Sequence, residues 1–552
     1  MSSNAELHQL VKAQKLQKSR KFKECYQLCK SIIKKNPSCA VAYELLGLAA
    51  LDSNDFDLAQ LSGEKLLTLV PENPNGALIA SVALMSKGLD LKAAEVLEDQ
   101  ITRSPNVTAL LFNLHSALAN VGNNKRAIEV ALKCIELEPT NSDAYNNLGS
   151  SLYAVGRQSD ANIAFETAIK LNPNNFTARL NRAHSMSDDQ SKIDEINAIL
   201  RDHGDQVPER VRVSSLHNTA FAYLRLGQLK LGWERLENGF SPLIDSSRGR
   251  RPQRTFRAPR WEGEPIHRKR LLVWREQGLG DEIMFGSVLP ELVGIDGQVV
   301  LECEPRLVGL MQRSFPDFEV RPENYRATFP FDSPQEDFDY QIPLGSLCSI
   351  FRREISDFER SAPYLAPDQQ LVETYRNKVA SSKHPGELTV GICWRSGVVS
   401  PTRGPSYTNL NDWSQLFELS GVRVFNLQYG QSQSDILEFE AASGARLVRF
   451  DDLNLQADLE GTAALIKNLD IVISVGTAVA QLAAAIGTRV FLCANTQAWT
   501  SFSTKDFLFF PNITLVVHRT NDTTASVKLA IEVLSDSLKE RSVASSHGAR
   551  PQ

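Results

Sequence analysis

Glu276, Gln277, Gly278, Gly280 and Asp281 stand together between two segments of different periodicity. The apolar run 271–274 before them has the composition of a buried strand, and the apolar positions after Asp281 recur with helical spacing. Glycines at such a bend let the backbone take positive φ and let a ligand approach closely, while the helix start turns free N–H groups toward an anion. Glu276, Gln277, Gly278 and Gly280 therefore form a candidate ligand loop. Spacing alone leaves Asp281 two roles: a cap of the helix start, or a general base at the mouth of a cleft.

A second group of polar residues follows apolar runs further along the chain. Arg395 and Ser396 come after 389–393, Gln428 after 424–427, and Ser474, Gly476, Thr477 and Ala478 after 471–473. The last of these leads into an alanine-rich helical segment and has the makings of an anion cradle. Gly476 permits close approach, Thr477 offers a hydroxyl, and the helix start supplies N–H donors. Arg395, at the end of a facing strand, would complete the neutralisation of a phosphate. The alternative is that Ser474 and Thr477 merely cap the helix, but three polar loops on one sheet edge favour a ligand.

Short apolar strands alternating with helical segments position both groups, the pattern of parallel α/β units. The first series is 271–274, 298–302, 318–321 and 340–343. The second is 389–394, 422–428, 447–450, 471–474 and 490–493. Two series imply two lobes, 271–375 and 376–538, with ligands beyond the carboxyl ends of the strands.

The first half has a different construction. Pro37, Pro71, Pro105, Pro139 and Pro173 are 34 residues apart, the period of a helical-hairpin solenoid. In the clearest copy, 142–175, Gly149 and Ala161 are small enough for two helices to approach, Tyr145, Leu148, Leu152 and Phe165 fill the space between hairpins, and Pro173 ends the second helix. The register weakens after Asn175 and a last hairpin resumes near Val213, so the solenoid is assigned to 1–243. Its groove would be lined from the first helix of each hairpin, by Asn113, Asn146, Asn147 and Asn181. Asparagines there can hydrogen-bond an extended backbone or remain solvated, and the groove can hold a partner or serve self-association, making a homo-oligomer.

Between the halves, 244–270 is rich in arginine and proline and reads as an interdomain linker laid on an acidic surface. The 552 residues are 42% hydrophobic and 23% charged with a net charge of −5, which suits soluble globular domains and argues against a dedicated nucleic-acid binder. No apolar stretch is long enough to span a membrane, and the polar N-terminus points to a cytoplasmic protein. The eight cysteines and nine histidines show no metal-ligand spacing, so no metal is expected, and Cys25 and Cys29 are read as core residues of one helix face. The tail, 539–552, is polar and expected to be disordered.

Taken in register, the 34-residue units resemble tetratricopeptide repeats. The segments EQGLGD, DFDYQIPLGSL, GICWRSG, NLQYG and LDIVISVGTAVAQLAAAIG, in that order, resemble bacterial glycosyltransferases fused to such repeats. Those enzymes are related to the heptosyltransferases and share the two-lobed GT-B architecture, a pair of Rossmann-like lobes, with the protein O-linked N-acetylglucosamine transferases. The resemblance implies metal-independent transfer, inverting or retaining, of a sugar from a nucleotide-sugar donor to Ser or Thr of a protein held by the repeats, a flagellin or another bacterial surface protein. Asp281 would then be the base. Arg395 and the amides of Gly476, Thr477 and Ala478 would face the donor phosphates, with Gln428 near the nucleoside and Ser396 and Ser474 also on the donor side. Gly476 stands where related sequences carry an acid, and Gln481 where they carry a histidine. Those two departures favour the alternative of a non-catalytic adaptor on a degenerate transferase fold.

Overall fold

A computed structural model describes residues 4–244, 249–252, 254–323, 336–397, 406–495, 498–520 and 522–547. The chain divides into two compact units, Met1–Pro208 and Glu209–Gln552.

The described part of the first unit holds twelve helices in six hairpins. They are α1 (Asn4–Lys18) with α2 (Phe22–Lys35), α3 (Ala40–Asp52) with α4 (Phe56–Leu69), α5 (Pro74–Ser86) with α6 (Asp90–Arg103), α7 (Thr108–Asn120) with α8 (Asn124–Leu137), α9 (Ser142–Ala154) with α10 (Gln158–Leu171), and α11 (Phe176–His184) with α12 (Asp189–His203). The repeat is visible in the backbone itself. Arg20, Asn54, Gly88, Gly122 and Gly156, at the turn of successive hairpins, all have positive φ. Ala59, Ala93, Ala127 and Ala161, on the second helices, are all fully buried. Gly149 of α9 lies under the ring of Phe165 of α10, where an added Cβ would come within 2.6 Å of the ring; the close approach expected between these helices is real. The side chains of Asn73, Asn141 and Asn175 cap α5, α9 and α11, each cap being worth about 1 kcal/mol. The stretch after Asn175, where the sequence register weakens, still forms a hairpin. Phe176, Leu180 and Ala183 of α11 are buried, as are Ile193, Ile196 and Ile199 of α12, whose spacing of three keeps one face apolar.

The second unit opens with the hairpin α13 (Glu209–Arg225) and α14 (Leu229–Leu236), which the sequence pattern assigns to the solenoid. Here Leu224, Leu229, Trp233 and Leu236 belong to the same buried cluster as the strands that follow, and Trp233 Nε1 donates to the Arg352 carbonyl at 2.6 Å. The first lobe runs β1 (Lys269–Trp274), α15 (Leu279–Gly286), β2 (Gly297–Cys303), α16 (Val308–Ser314), β3 (Glu319–Pro322), β4 (Tyr340–Pro343) and α17 (Cys348–Phe351). After α18 (Gln369–Ser381), the second runs β5 (Leu388–Cys393), α19 (Ser414–Phe417), β6 (Val422–Asn426), α20 (Gln433–Ser443), α21 (Leu459–Lys467), β7 (Ile471–Val475), α22 (Ala478–Ala485), β8 (Arg489–Ala494), β9 (Ile513–Val517) and α23 (Thr523–His547).

Both sheets are parallel, in the orders β3-β2-β1-β4 and β6-β5-β7-β8-β9. Leu271, Leu272 and Val273 of β1 are fully buried, as an unbroken apolar run requires of a strand covered on both faces. Two strand expectations need correction. The stretch 447–450 makes a single bridge, Phe425 to Val448, with exposed Arg449 following at once. The edge strand β9 was not foreseen. The tail also departs from expectation: α23 continues through Lys539 to His547, seeded by buried Val527, Ala530, Ile531 and Leu534, because a helix once nucleated extends cheaply. Residues 548–552, and 245–248 and 253 of the arginine-rich linker, lie outside the described residues.

Candidate functional site

The carboxyl ends of β1 and β7 open on one cavity of about 510 Å³, a size suited to a small-molecule ligand. The first lobe contributes Gly278, Leu279, Gly280, Asp281 and Arg306 to its wall, and the second Ser396, Tyr407, Tyr429, Gly476, Thr477, Ala478 and Gln481. The first turns of α15 and α22 thus border the same space. They touch, since a Cβ at Gly280 would lie 3.4 Å from Ala478 Cα.

In the glycine turn, Gly278 is the N-cap of α15 with φ −88°, and its N–H donates to Asp281 Oδ2 at 3.3 Å. Asp281 is exposed in the cavity wall, so the capping contact and access to a ligand coexist. Positive φ falls on Gln277 (φ 61°) rather than on either glycine, and its N–H donates to the Arg251 carbonyl at 2.7 Å. The glycines serve close approach instead. Glu276 does not face the cavity. It is buried with Arg250, whose Nε donates to Glu276 Oε2 at 2.6 Å while a second nitrogen bonds Oε1, and Gly345 N–H donates to Oε1 at 2.9 Å. Arg250 also donates to Glu237 at 2.9 Å. Burial acts to raise the Glu237 carboxyl, but Arg250 and Arg260 outweigh it and hold it down at about 2. Arg250 of the supposed surface linker is therefore a buried strut behind the turn, because each guanidinium nitrogen meets a carboxylate of Glu276 or Glu237.

On the second lobe, Thr477 is the N-cap of α22 but makes no side-chain capping bond. Its hydroxyl lies 2.9 Å from that of Ser474, which is fully buried and donates to the Val475 carbonyl at 2.8 Å. Ser474 therefore supports the loop from below and does not line the cavity. Beneath it, burial pushes the Cys393 thiol up to about 12. Gly476 is exposed, with open space where a Cβ would stand. The side-chain oxygen of Gln481, a cavity residue, is buried without a hydrogen-bond partner.

The structure does not bring Arg395 to this loop. Its Nη2 donates to Asp435 and to the Gln431 carbonyl, both at 2.7 Å, and it lines a neighbouring cavity with Tyr407, Asp435 and Glu438. Gln428 is buried and occupied with backbone: its Oε1 accepts from Trp394 and Arg395 N–H at 3.0 and 2.9 Å, and its Nε2 donates to the Arg395 carbonyl at 2.8 Å. It pins the loop that carries Ser396. Sequence reasoning missed Arg306, Tyr407 and Tyr429. Arg306 follows the end of β2, and inspecting every strand-end loop of the first lobe, beyond that of β1 alone, would have found it.

Of the four groove asparagines, Asn146 is buried and accepts from Asn181 Nδ2 at 2.9 Å. His115 Nε2 lies 3.1 Å from the Asn147 carbonyl. Asn113, Asn147 and Asn181 occupy equivalent places on α7, α9 and α11 and are partly exposed.

The tetratricopeptide repeat model matches residues 130–161, which run from α8 into α10. The first unit carries tetratricopeptide repeats. Solved structures similar to part of this chain include YrrB, described as a TPR protein with an unusual peptide-binding site, at 21% identity and TM-score 0.29 over 32% of this chain and 91% of that one. Another is MamA, at 19% identity and TM-score 0.29 over 31% and 92%. Over most of its length the chain is similar to Protein FlbA of Caulobacter vibrioides, 27% identical over 502 residues, 88% of this chain and 82% of the relative. No helix among the described residues is long and apolar enough to cross a membrane.

Proposed function

We propose that the protein is a two-lobed, GT-B glycosyltransferase that moves a sugar from a nucleotide-sugar donor to Ser or Thr of a protein recruited by its tetratricopeptide unit. The observation that carries this reading is the single cavity bordered by Asp281 on the first lobe and by Gly476, Thr477 and Ala478 on the second. Asp281 takes the proton of the acceptor hydroxyl as it attacks the sugar. The first turn of α22 faces the donor phosphates, whose negative charge grows as the sugar leaves. Ser396 lies on the same wall, while Gln428 and Ser474 hold the loops in place. The acceptor class implied by the sequence resemblance is a flagellin or another bacterial surface protein, modified in the cytoplasm.

Intact-mass analysis of candidate acceptors from cells with and without this chain tests the reaction and names the acceptor together. Asp281→Asn should lower transfer by roughly 10²- to 10⁴-fold, the usual contribution of a general base, without weakening acceptor capture. Full transfer by that variant would remove the base assignment. A second reading, a non-catalytic adaptor, draws on Gly476, whose backbone and surroundings do not demand glycine and which leaves the cavity wall without a side chain. An adaptor would capture the partner and leave its mass unchanged.

A further inference from the structure

Resting on the transferase reading, we propose that Arg306 is the cation that binds the phosphate of the nucleotide donor, a role for which the sequence pattern nominates Arg395. Among the described residues of the cavity wall, the charged side chains are those of Asp281 and Arg306. Arg395 is committed to Asp435 and lines another cavity. Arg306 is anchored from behind and engaged in front by a replaceable group. Its Nε donates to Glu304 Oε1 at 2.8 Å, and Glu304 Oε2 is neutralised in turn by Arg275 at 3.2 Å. Its Nη1 reaches across to the second lobe and donates to the Gln456 carbonyl at 2.5 Å. A neutral carbonyl is a weaker partner for a guanidinium than a phosphate oxygen, because only the phosphate adds attraction between opposite full charges to the hydrogen bond. A donor phosphate entering the cavity displaces Gln456 from Arg306, so the contact that joins the two lobes gives way to a contact of each lobe with the ligand. With two thirds of its side chain covered (34% exposed), Arg306 gives up little freedom in the exchange.

Arg313 supplies the control. It too joins the lobes, with Nη2 donating to Glu460 at 3.1 Å, but it does not line the cavity. The test is titration calorimetry of the full chain with inorganic pyrophosphate, UDP, GDP, ADP and CMP. At least one probe should bind the wild type. Arg306→Ala should weaken that affinity by about tenfold or more, the loss of one charge-assisted hydrogen bond, and make it less sensitive to salt. Arg306→Lys should recover part of the loss, and Arg313→Ala should bind as the wild type does. Wild-type affinity and salt dependence in Arg306→Ala would overturn this inference and leave the transferase reading standing. Equal losses in Arg306→Ala and Arg313→Ala would reduce Arg306 to a lobe tether and also overturn it. Binding of none of the probes by the wild type would overturn both.

Discussion

Arg250, Glu276 and Glu237 form a buried ionic cluster whose members hold one another in place. Breaking such a cluster from one side strands a charge, at about 3–5 kcal/mol, so the glycine turn beside Glu276 is held firmly. Arg250 was hidden from sequence reasoning because it stands in a run of arginines, and nothing in a run tells which member finds acceptors inside. His184, in the last turn of α11, is a different kind of buried group. Its Nε2 is sealed without a partner, and burial, with Lys192 nearby, depresses its pKa to about 4. An unfolded histidine titrates near 6.5. Between those values the unfolded chain binds the proton and the folded one does not, so stability is complete above pH 6.5 and falls as the pH drops toward 4. Thermal denaturation of the first unit should show this acid loss, and His184→Gln should flatten it. An unchanged slope between pH 6.5 and 4 would assign the loss to other groups.

The hairpin is the element in which pattern and structure agree most closely. In the first five hairpins a proline stands two residues after the end of the second helix, Pro37 after Lys35 and Pro139 after Leu137, and a left-handed residue closes the inner turn at the same 34-residue interval. In two hairpins that residue is Arg20 or Asn54 instead of glycine. A side chain in this conformation is strained, so Arg20→Gly should stabilise the first unit by roughly 0.5–1 kcal/mol, and Gly122→Ala should destabilise it by about 1 kcal/mol. Denaturant titration of the two variants checks both signs; changes in the same direction would mean that turn conformation does not control hairpin stability. The strands were legible for a similar local reason, since each buried run in a parallel sheet is apolar without interruption. The edge strand β9 was passed over although Ile513, Leu515, Val516 and Val517 make it apolar, and its parallel pairing with β8 is what identifies it. The stretch 447–450 misled, because an apolar run shows that a segment can pair and leaves open how far its neighbour runs alongside.

At the scale of the whole molecule, the boundary between the units falls before α13, so the last hairpin is part of the second unit's core. A fragment starting at 209 should therefore unfold cooperatively, whereas one starting at 244 lacks Leu224, Leu229, Trp233 and Leu236 and should not. Within the full chain, Trp233→Ala should cost about 3–5 kcal/mol in the second unit and leave the melting of the first unit unchanged. Calorimetry resolves the two transitions, and cooperative unfolding of the 244–552 fragment would return the hairpin to the solenoid. The sequence by itself determined the repeat period, the parallel α/β lobes and the two glycine-bearing loops, all of which rest on spacing within a few tens of residues. Only the tertiary structure decided which of their side chains share a cavity. Asp281, Gly476, Thr477 and Ala478 meet there with Arg306, while Glu276, Arg395, Gln428 and Ser474 turn to partners elsewhere. Where a polar side chain at a strand end points depends on the acceptors that distant segments bring within reach, and chain spacing does not encode them.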